Sequence, residues 1–206
     1  GFRYNYLIGN KRYSGGGLIV LPEKLIYISD SVFYDSSMAL ILTGIFPKRG
    51  FGVFEGYIAL NISKDNPYCK TDKNYGNGIF SKDGKILYCS RYNEMTEGLE
   101  TIEERAFEGG SFDKLVFPKT IKEIKNYAFY DCYNLEKVYW NAKNVADFTD
   151  GNLAFPNVGR SGSGIDFVFG EAVESVPAYL LYSLSTDKPN IKSITLGENV
   201  KRIGAY

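Results

Sequence analysis

The chain repeats itself, and a repeat restricts the available folds more sharply than composition does. Residues 19–35 (Ile-Val-Leu-Pro-Glu-Lys-Leu-Ile-Tyr-Ile-Ser-Asp-Ser-Val-Phe-Tyr-Asp) align without a gap with residues 115–131 (Leu-Val-Phe-Pro-Lys-Thr-Ile-Lys-Glu-Ile-Lys-Asn-Tyr-Ala-Phe-Tyr-Asp), an offset of 96. Pro22 falls on Pro118, Leu25 on Ile121, Ile28 on Ile124, and Phe33-Tyr34-Asp35 on Phe129-Tyr130-Asp131. Shorter offsets lie inside this one. Leu99, Ile102, Ala106 and Phe107 recur as Ile121, Ile124, Ala128 and Phe129 after 22 positions. Phe112, Leu115 and Phe117 recur as Leu135, Val138 and Trp140 after 23. Ile165 and Val168 recur as Ile191 and Ile194 after 26, and Val173 and Val176 as Val200 and Ile203 after 27.

Periods of this size suit a coil made of one short strand and a turn-rich return. Phe112-x-x-Leu115-x-Phe117 and Leu135-x-x-Val138-x-Trp140 alternate as half-buried strands do. Pro-x-x-Ile-x-x-Ile then turns the chain, and Ala-Phe sets a small residue beside a large plug. One coil cannot bury its apolar side alone, so stacking must supply the missing wall. The spacing predicts a curved, right-handed leucine-rich-repeat solenoid of about six to eight coils. It should contain mainly short parallel β-strands and turns, with short helical pieces. We expect a single domain over 1–206, cut from a longer array.

Composition then narrows the function. There are no histidines, which removes His-dependent triads, imidazole metal sites and His acid–base chemistry. Twenty-four Lys+Arg balance 24 Asp+Glu, an unfavourable profile for nucleic acid or an anionic membrane. The longest apolar run, Ala39 to Ile45, is broken by Thr43 and Gly44, short of the roughly 18 residues of a span. Ser14-Gly15-Gly16-Gly17 lacks the Gly-Lys-Ser/Thr of a phosphate loop. Asp65, Asp72 and Asp83 do not have calcium-loop spacing. No enzyme, metal or cofactor is expected.

The pattern Phe117-Pro118, Ile121, Ile124, Ala128-Phe129, Cys132, Leu135 resembles the BspA-like (Treponema-type) leucine-rich repeat, with Lys125 where that repeat usually has Gly. Ile203-Gly204-Ala205-Tyr206 keeps the same motif. Tyr57-x-x-Leu60-x-Ile62 and Gly78-Ile79-Phe80 through Ile86-Leu87-Tyr88 look like the family's variant coil near 57–92, with a hairpin turning at Asp83-Gly84. The resemblance covers Leu18 to Tyr206 and is weakest in two stretches. Gly44 to Gly56 has no clear coil, and 147–164 reads as a polar, Gly-rich insertion; both are expected as surface loops.

The resemblance implies a secreted or cell-surface scaffold, non-enzymatic, that mediates adhesion by binding a protein or glycan, some of it host-derived. Its alternative is a structural spacer presenting another domain. The strand positions expected to face outward are Val20, Asn61, Val116, Tyr139, Phe169 and Thr195. Either they form a partner surface or they simply cover neighbouring strands. Lys114, Glu136, Lys137, Asp166 and Lys192 read as a solvated rim. Cys132 sits where this repeat carries a small buried Cys, and Cys69 and Cys89 could pair if the protein is exported.

Overall fold

The computed structural model describes residues 6–7, 11–12, 18–33, 39–54, 59–72, 78–182, 186 and 188–205. Ser14 to Gly17, Tyr34, Asp35, Tyr57 and Tyr206, which carry parts of the sequence pattern, lie outside the described residues. The chain folds into parallel β-solenoid coils. It divides into two compact units, Gly1–Thr71 and Asp72–Tyr206.

In the first unit, β1 (Tyr6–Leu7) and β2 (Lys11–Arg12) make an antiparallel pair. The coils follow as β3 (Leu18–Leu21), β4 (Tyr27–Ile28), β5 (Ala39–Leu42), β6 (Lys48–Arg49) and β7 (Ala59–Ile62), and then β8 (Cys69–Asp72). Strands β3, β5 and β7 form a parallel sheet in which Leu21, Leu42 and Ile62 lie in one row, 21 and 20 positions apart. Within β5, Leu40 and Leu42 are buried while Ala39 and Ile41 are half-buried, the period-two signature of a strand with one face inward.

Residues 44–54 of the stretch 44–56 are part of a coil and not the surface loop their composition suggested. Lys48–Arg49 pairs in parallel with Tyr27–Ile28, and Gly52 and Val53 are buried. The reason lies at Arg49, which takes the place held by Ile28 one coil earlier. Its guanidinium lies 5.4 Å from the Phe46 ring and 5.3 Å from the Phe54 ring. An apolar repeat position has thus been filled by a cation stacked on aromatics, which hides the coil from a hydrophobicity pattern. Gly44 serves the same stacking, because a Cβ there would sit 1.9 Å from the carbonyl oxygen of Glu23. Any side chain at that position must push the two coils apart.

The second unit opens with the expected hairpin, β9 (Gly78–Ser81) against β10 (Ile86–Cys89), antiparallel. Gly84 supplies a left-handed φ of 82° at the turn. The Asp83 carboxylate accepts from Ser81 Oγ at 2.6 Å and from the Lys85 amide at 3.0 Å, so it is spent on the turn. Strand β10 then pairs in parallel with β11 (Thr101–Ile102).

The principal sheet of this unit begins with β12 (Lys114–Phe117). After it come β13 (Glu123–Ile124), β14 (Lys137–Trp140), β15 (Ile165–Phe169), β16 (Ser175–Val176), β17 (Ile191–Thr195) and β18 (Arg202–Ile203). Strands β12, β14, β15 and β17 form a four-stranded parallel sheet, while β11 pairs with β13 and β16 with β18 on the return side.

Between the two sides runs an aromatic core. Phe107, Phe129 and Phe155 stack face to face in successive coils, with centroids 5.1 and 4.6 Å apart and planes within 11° and 9°. Phe117 and Trp140 lie beside this column, 4.7 Å from each other. Cys132 is fully buried, as expected of a small core residue, with its Sγ 3.2 Å from the Phe107 carbonyl oxygen. Burial pushes its thiol pKa up, so it does not act as a thiolate.

No helix occurs among the described residues, so the short helical pieces expected are turns. The backbone explains this. Arg105 and Tyr127 adopt φ of 57° and 56° just before the Ala-Phe plug. Gly109, Asp131 and Asn157, each two residues after a plug Phe, adopt 67°, 60° and 62°. Left-handed residues this close together end any helix before it completes a turn. Gly, Asp and Asn tolerate that region best.

The segment 147–164 needs the same correction as 44–56. Leu153 through Gly159 are all buried, and Phe155 is the third ring of the column. The amides of Tyr127 and Phe129 donate to the carbonyls of Leu153 and Ala154 at 2.7 and 3.0 Å, the ordinary inter-coil bonding. What is inserted is small: Arg160 to Ser163 are exposed and lengthen the interval from Val138 to Phe167 to 29 residues.

Carboxylates are shared between coils. Glu100 bridges Lys122 at 2.8 Å and Lys85 at 3.1 Å, and Glu174 bridges Lys201 at 3.3 Å and Lys143 at 3.4 Å. The Lys122 hydrogen bond holds Glu100 below its ordinary pKa, and Lys201 does the same for Glu174. A lowered folded-state pKa contributes stability that is full above the ordinary carboxylate range and is lost as pH falls through the lowered value. The urea midpoint should therefore fall between neutral pH and pH values below about 4. The Glu100→Gln/Glu174→Gln double variant should show a smaller fall. An equal fall in both proteins would contradict a role for these ladders.

Candidate functional site

Register decides which side chains face solvent. In the first unit Val20, Ile41 and Asn61 stand in one row across β3, β5 and β7. Val20 and Asn61 are exposed and Ile41 is half-buried. Ile41 was not among the expected outward residues, although Leu40 and Leu42 at the 21-residue spacing marked it. In the second unit Val116, Tyr139, Val168 and Thr195 make the corresponding row. Val116 and Thr195 are exposed, and Tyr139 and Val168 are half-buried.

Phe169 was expected in this row and is instead in the core, 2% exposed and packed 5.0 Å from Phe167. Four of the five residues in Ile165-Asp-Phe-Val-Phe169 are apolar, so alternation alone does not choose a face there. A one-residue slip then turns the whole strand over. The structure also pairs Ile194 with Phe167, not with Val168, because the ladder slips once between β15 and β17: Ile165 faces Ile191 but Asp166 faces Ser193. The additional residue is Lys192, which explains why a 26-residue offset fits Ile165 and fails after it.

A second outward row runs beside the first through Lys114, Lys137 and Asp166. The Asp166 carboxylate accepts from Ser193 Oγ at 2.6 Å and meets Lys192 Nζ at 3.1 Å. Those contacts, the serine first, hold it below the usual carboxylate range. The sheet face therefore carries a charged row and an apolar-to-polar row. Glu136 is exposed at the rim, as expected.

A groove of about 380 Å³ opens at the β12 end of this sheet. Lys114, Val116 and Lys119 line it together with Glu94, Met95 and Glu97. Met95 also packs against the hydrophobic core. Among the described residues no cluster of three or more Cys, Asp or Glu side chains could hold a metal ion, and no helix is long and apolar enough to cross a membrane. Cys69 is buried and Cys89 half-buried.

Parallel coils of 20 to 29 residues, Ala-Phe plugs and the buried Cys after them are the features by which the sequence could be compared with known families. No curated protein and no solved structure is significantly similar to the chain. The family profile of the BspA type leucine rich repeat region matches six copies across residues 76–206, more than half of the chain. The chain belongs to the BspA-type leucine-rich-repeat family.

Proposed function

We propose that the protein is a surface-displayed or secreted adhesion scaffold that binds a protein or glycan through the exposed face of the β12–β14–β15–β17 sheet. Leucine-rich repeats generally serve as protein-binding scaffolds, and the reading adds a face and a location to that general role. The observation that carries it is the outward row Val116, Tyr139, Val168 and Thr195, held in register over four coils. A rigid row of this kind presents aromatic and aliphatic contact at low entropic cost, because the backbone beneath is already ordered. The scaffold performs no chemistry in this reading, since binding alone accounts for the residues on the face.

The test is a screen of purified matrix proteins and arrayed glycans with the wild-type chain and a Val116→Ser/Tyr139→Ala variant. Tyrosines at interface centres contribute about 2 kcal/mol, so the variant should bind a cognate partner roughly thirtyfold more weakly. Unchanged affinity would place the contact elsewhere. Absence of any ligand in the screen would favour a spacer that presents another domain.

A further inference from the structure

The groove beside β12 is also a sheet edge. In a parallel pair, alternate residues address the partner strand. The Lys137 amide donates to the Asp113 carbonyl at 3.0 Å, and Leu115 lies opposite Val138. Leu115 and Phe117 thus turn their backbone groups toward β14. The N–H and C=O groups of Lys114 and Val116 point the other way, into the groove they line. No strand lies against that edge among the described residues.

The repeat accounts for the opening. A 22-residue interval separates Leu99 from Ile121, and the same step back from β12 reaches Tyr92 to Met95. Those residues take no strand conformation. The preceding coil therefore leaves its strand position unfilled, and a cavity of about 380 Å³ stands there.

We propose that this edge takes up an extended peptide segment of a partner protein as an added strand, selecting an acidic residue followed two positions later by an apolar or aromatic one. The proposal rests on the reading of the sheet face as the binding face and names what that face recognises first. Backbone groups supply sequence-independent affinity in such an addition, and alternate side chains supply specificity. The two outward rows dictate the pattern. A peptide residue beside Lys114 extends the row Lys114, Lys137, Asp166, where two lysines adjoin and the only carboxylate is engaged by Lys192 at 3.1 Å. Among the described residues no carboxylate makes an ion pair with Lys114 or Lys119, so an incoming carboxylate finds a cation not already in contact with one. The peptide residue two positions on extends the row Val116, Tyr139, Val168, where an apolar or aromatic side chain fits. Glu94 and Glu97, which also line the groove, repel a uniformly acidic segment and so favour a single negative charge, beside Lys114.

The test uses the immobilised whole chain and a display library of extended peptides about eight residues long. Enriched peptides should carry the acid-x-apolar pattern. In fluorescence anisotropy, Lys114→Glu should weaken such a peptide at least about tenfold, and replacing the peptide's acid with lysine should restore binding to that variant. Val116→Pro removes one outward N–H while breaking no bond within the sheet, and should reduce binding comparably. Lys114→Glu is a solvent-exposed change, so it reports even if the proline variant folds poorly. A library without enrichment, enrichment without the pattern, or unchanged affinity in Lys114→Glu would each overturn the proposal. If a partner found with the matrix-protein screen loses affinity on Tyr139→Ala but not on Lys114→Glu or Val116→Pro, the edge inference fails while the face reading stands.

Discussion

Replacing Phe129 with alanine should lower the unfolding free energy by about 4 kcal/mol, within the usual range for a fully buried Phe-to-Ala truncation. Phe129 is 0% exposed, and its ring is stacked between Phe107 at 5.1 Å and Phe155 at 4.6 Å. Phe117 approaches its edge at 5.4 Å. The substitution removes a large apolar volume and also the middle member of a three-ring column. Each aromatic pair contributes roughly 0.5–1.5 kcal/mol beyond area burial. Because every coil contacts only its neighbours, the loss weakens two coil interfaces at once. The denaturant slope should then fall together with the midpoint, as the coils begin to separate thermodynamically. Phe129→Leu refills much of the volume without the stacking and should lose about half as much. Urea titration of the two variants checks both statements. An alanine variant within about 1 kcal/mol of wild type would mean that the column does not hold the coils together.

The second large effect is expected at Asn66, and its reasoning is polar. Asn66 is 1% exposed and its amide is bonded on both sides. Nδ2 donates to the carbonyls of Leu42 at 3.2 Å and Gly44 at 2.8 Å, while Oδ1 accepts from the amides of Tyr68 at 2.8 Å and Cys69 at 2.9 Å. One side chain thereby joins two consecutive coils of the first unit. Asn66→Ala takes this partner from the buried Cys69 amide and Gly44 carbonyl, while the Leu42 carbonyl keeps the Ser63 amide at 2.9 Å; buried groups left so cost about 1–3 kcal/mol each, so a loss of about 3 kcal/mol is expected. Asn66→Asp should do no better. It can still accept from the two amides, but it offers no donor to the two carbonyls and buries a charge beside them. Cys69 provides the local readout, since it is 1% exposed and its amide is one of the four partners. Thiol labelling followed by mass spectrometry should show Cys69 reacting faster in the alanine variant, with Cys132 still protected. Unaltered Cys69 labelling and an unaltered melting temperature would contradict this account of Asn66.

The same contrast explains which parts of the fold were legible in the sequence. Coils whose inward positions are aliphatic or aromatic and whose strand residues alternate could be read directly. Leu115 and Phe117, Val138 and Trp140, and the plugs Phe107 and Phe129 are all buried, as their spacing required. Coils that fill an inward position by other chemistry could not. Arg49, stacked on Phe46 and Phe54, concealed one coil. The coil at Leu153–Gly159 carries a readable signal, since Ala154-Phe155 repeats Ala128-Phe129 after 26 positions, but it sits between polar, Gly-rich residues that read as a loop. The outward row was legible where one face of the strand is polar or mixed, as at Val116 and Tyr139. It was not legible in Ile165–Phe169, where packing and the slip at Lys192, rather than alternation, set the register. The groove was beyond reach for a different reason: it exists because Tyr92–Met95 does not form the strand that the period calls for. Local propensity does not encode a missing partner.

Hydrogen–deuterium exchange of the chain with and without a partner from the matrix-protein or glycan screen tests the central claim most directly. The account predicts added protection in the segments of β12, β14, β15 and β17, strongest around Val116 and Tyr139, with the return turns at Asn126–Asp131 and Asn152–Asn157 unchanged. Protection confined to those return turns, with the sheet segments exchanging as in the free chain, would contradict it.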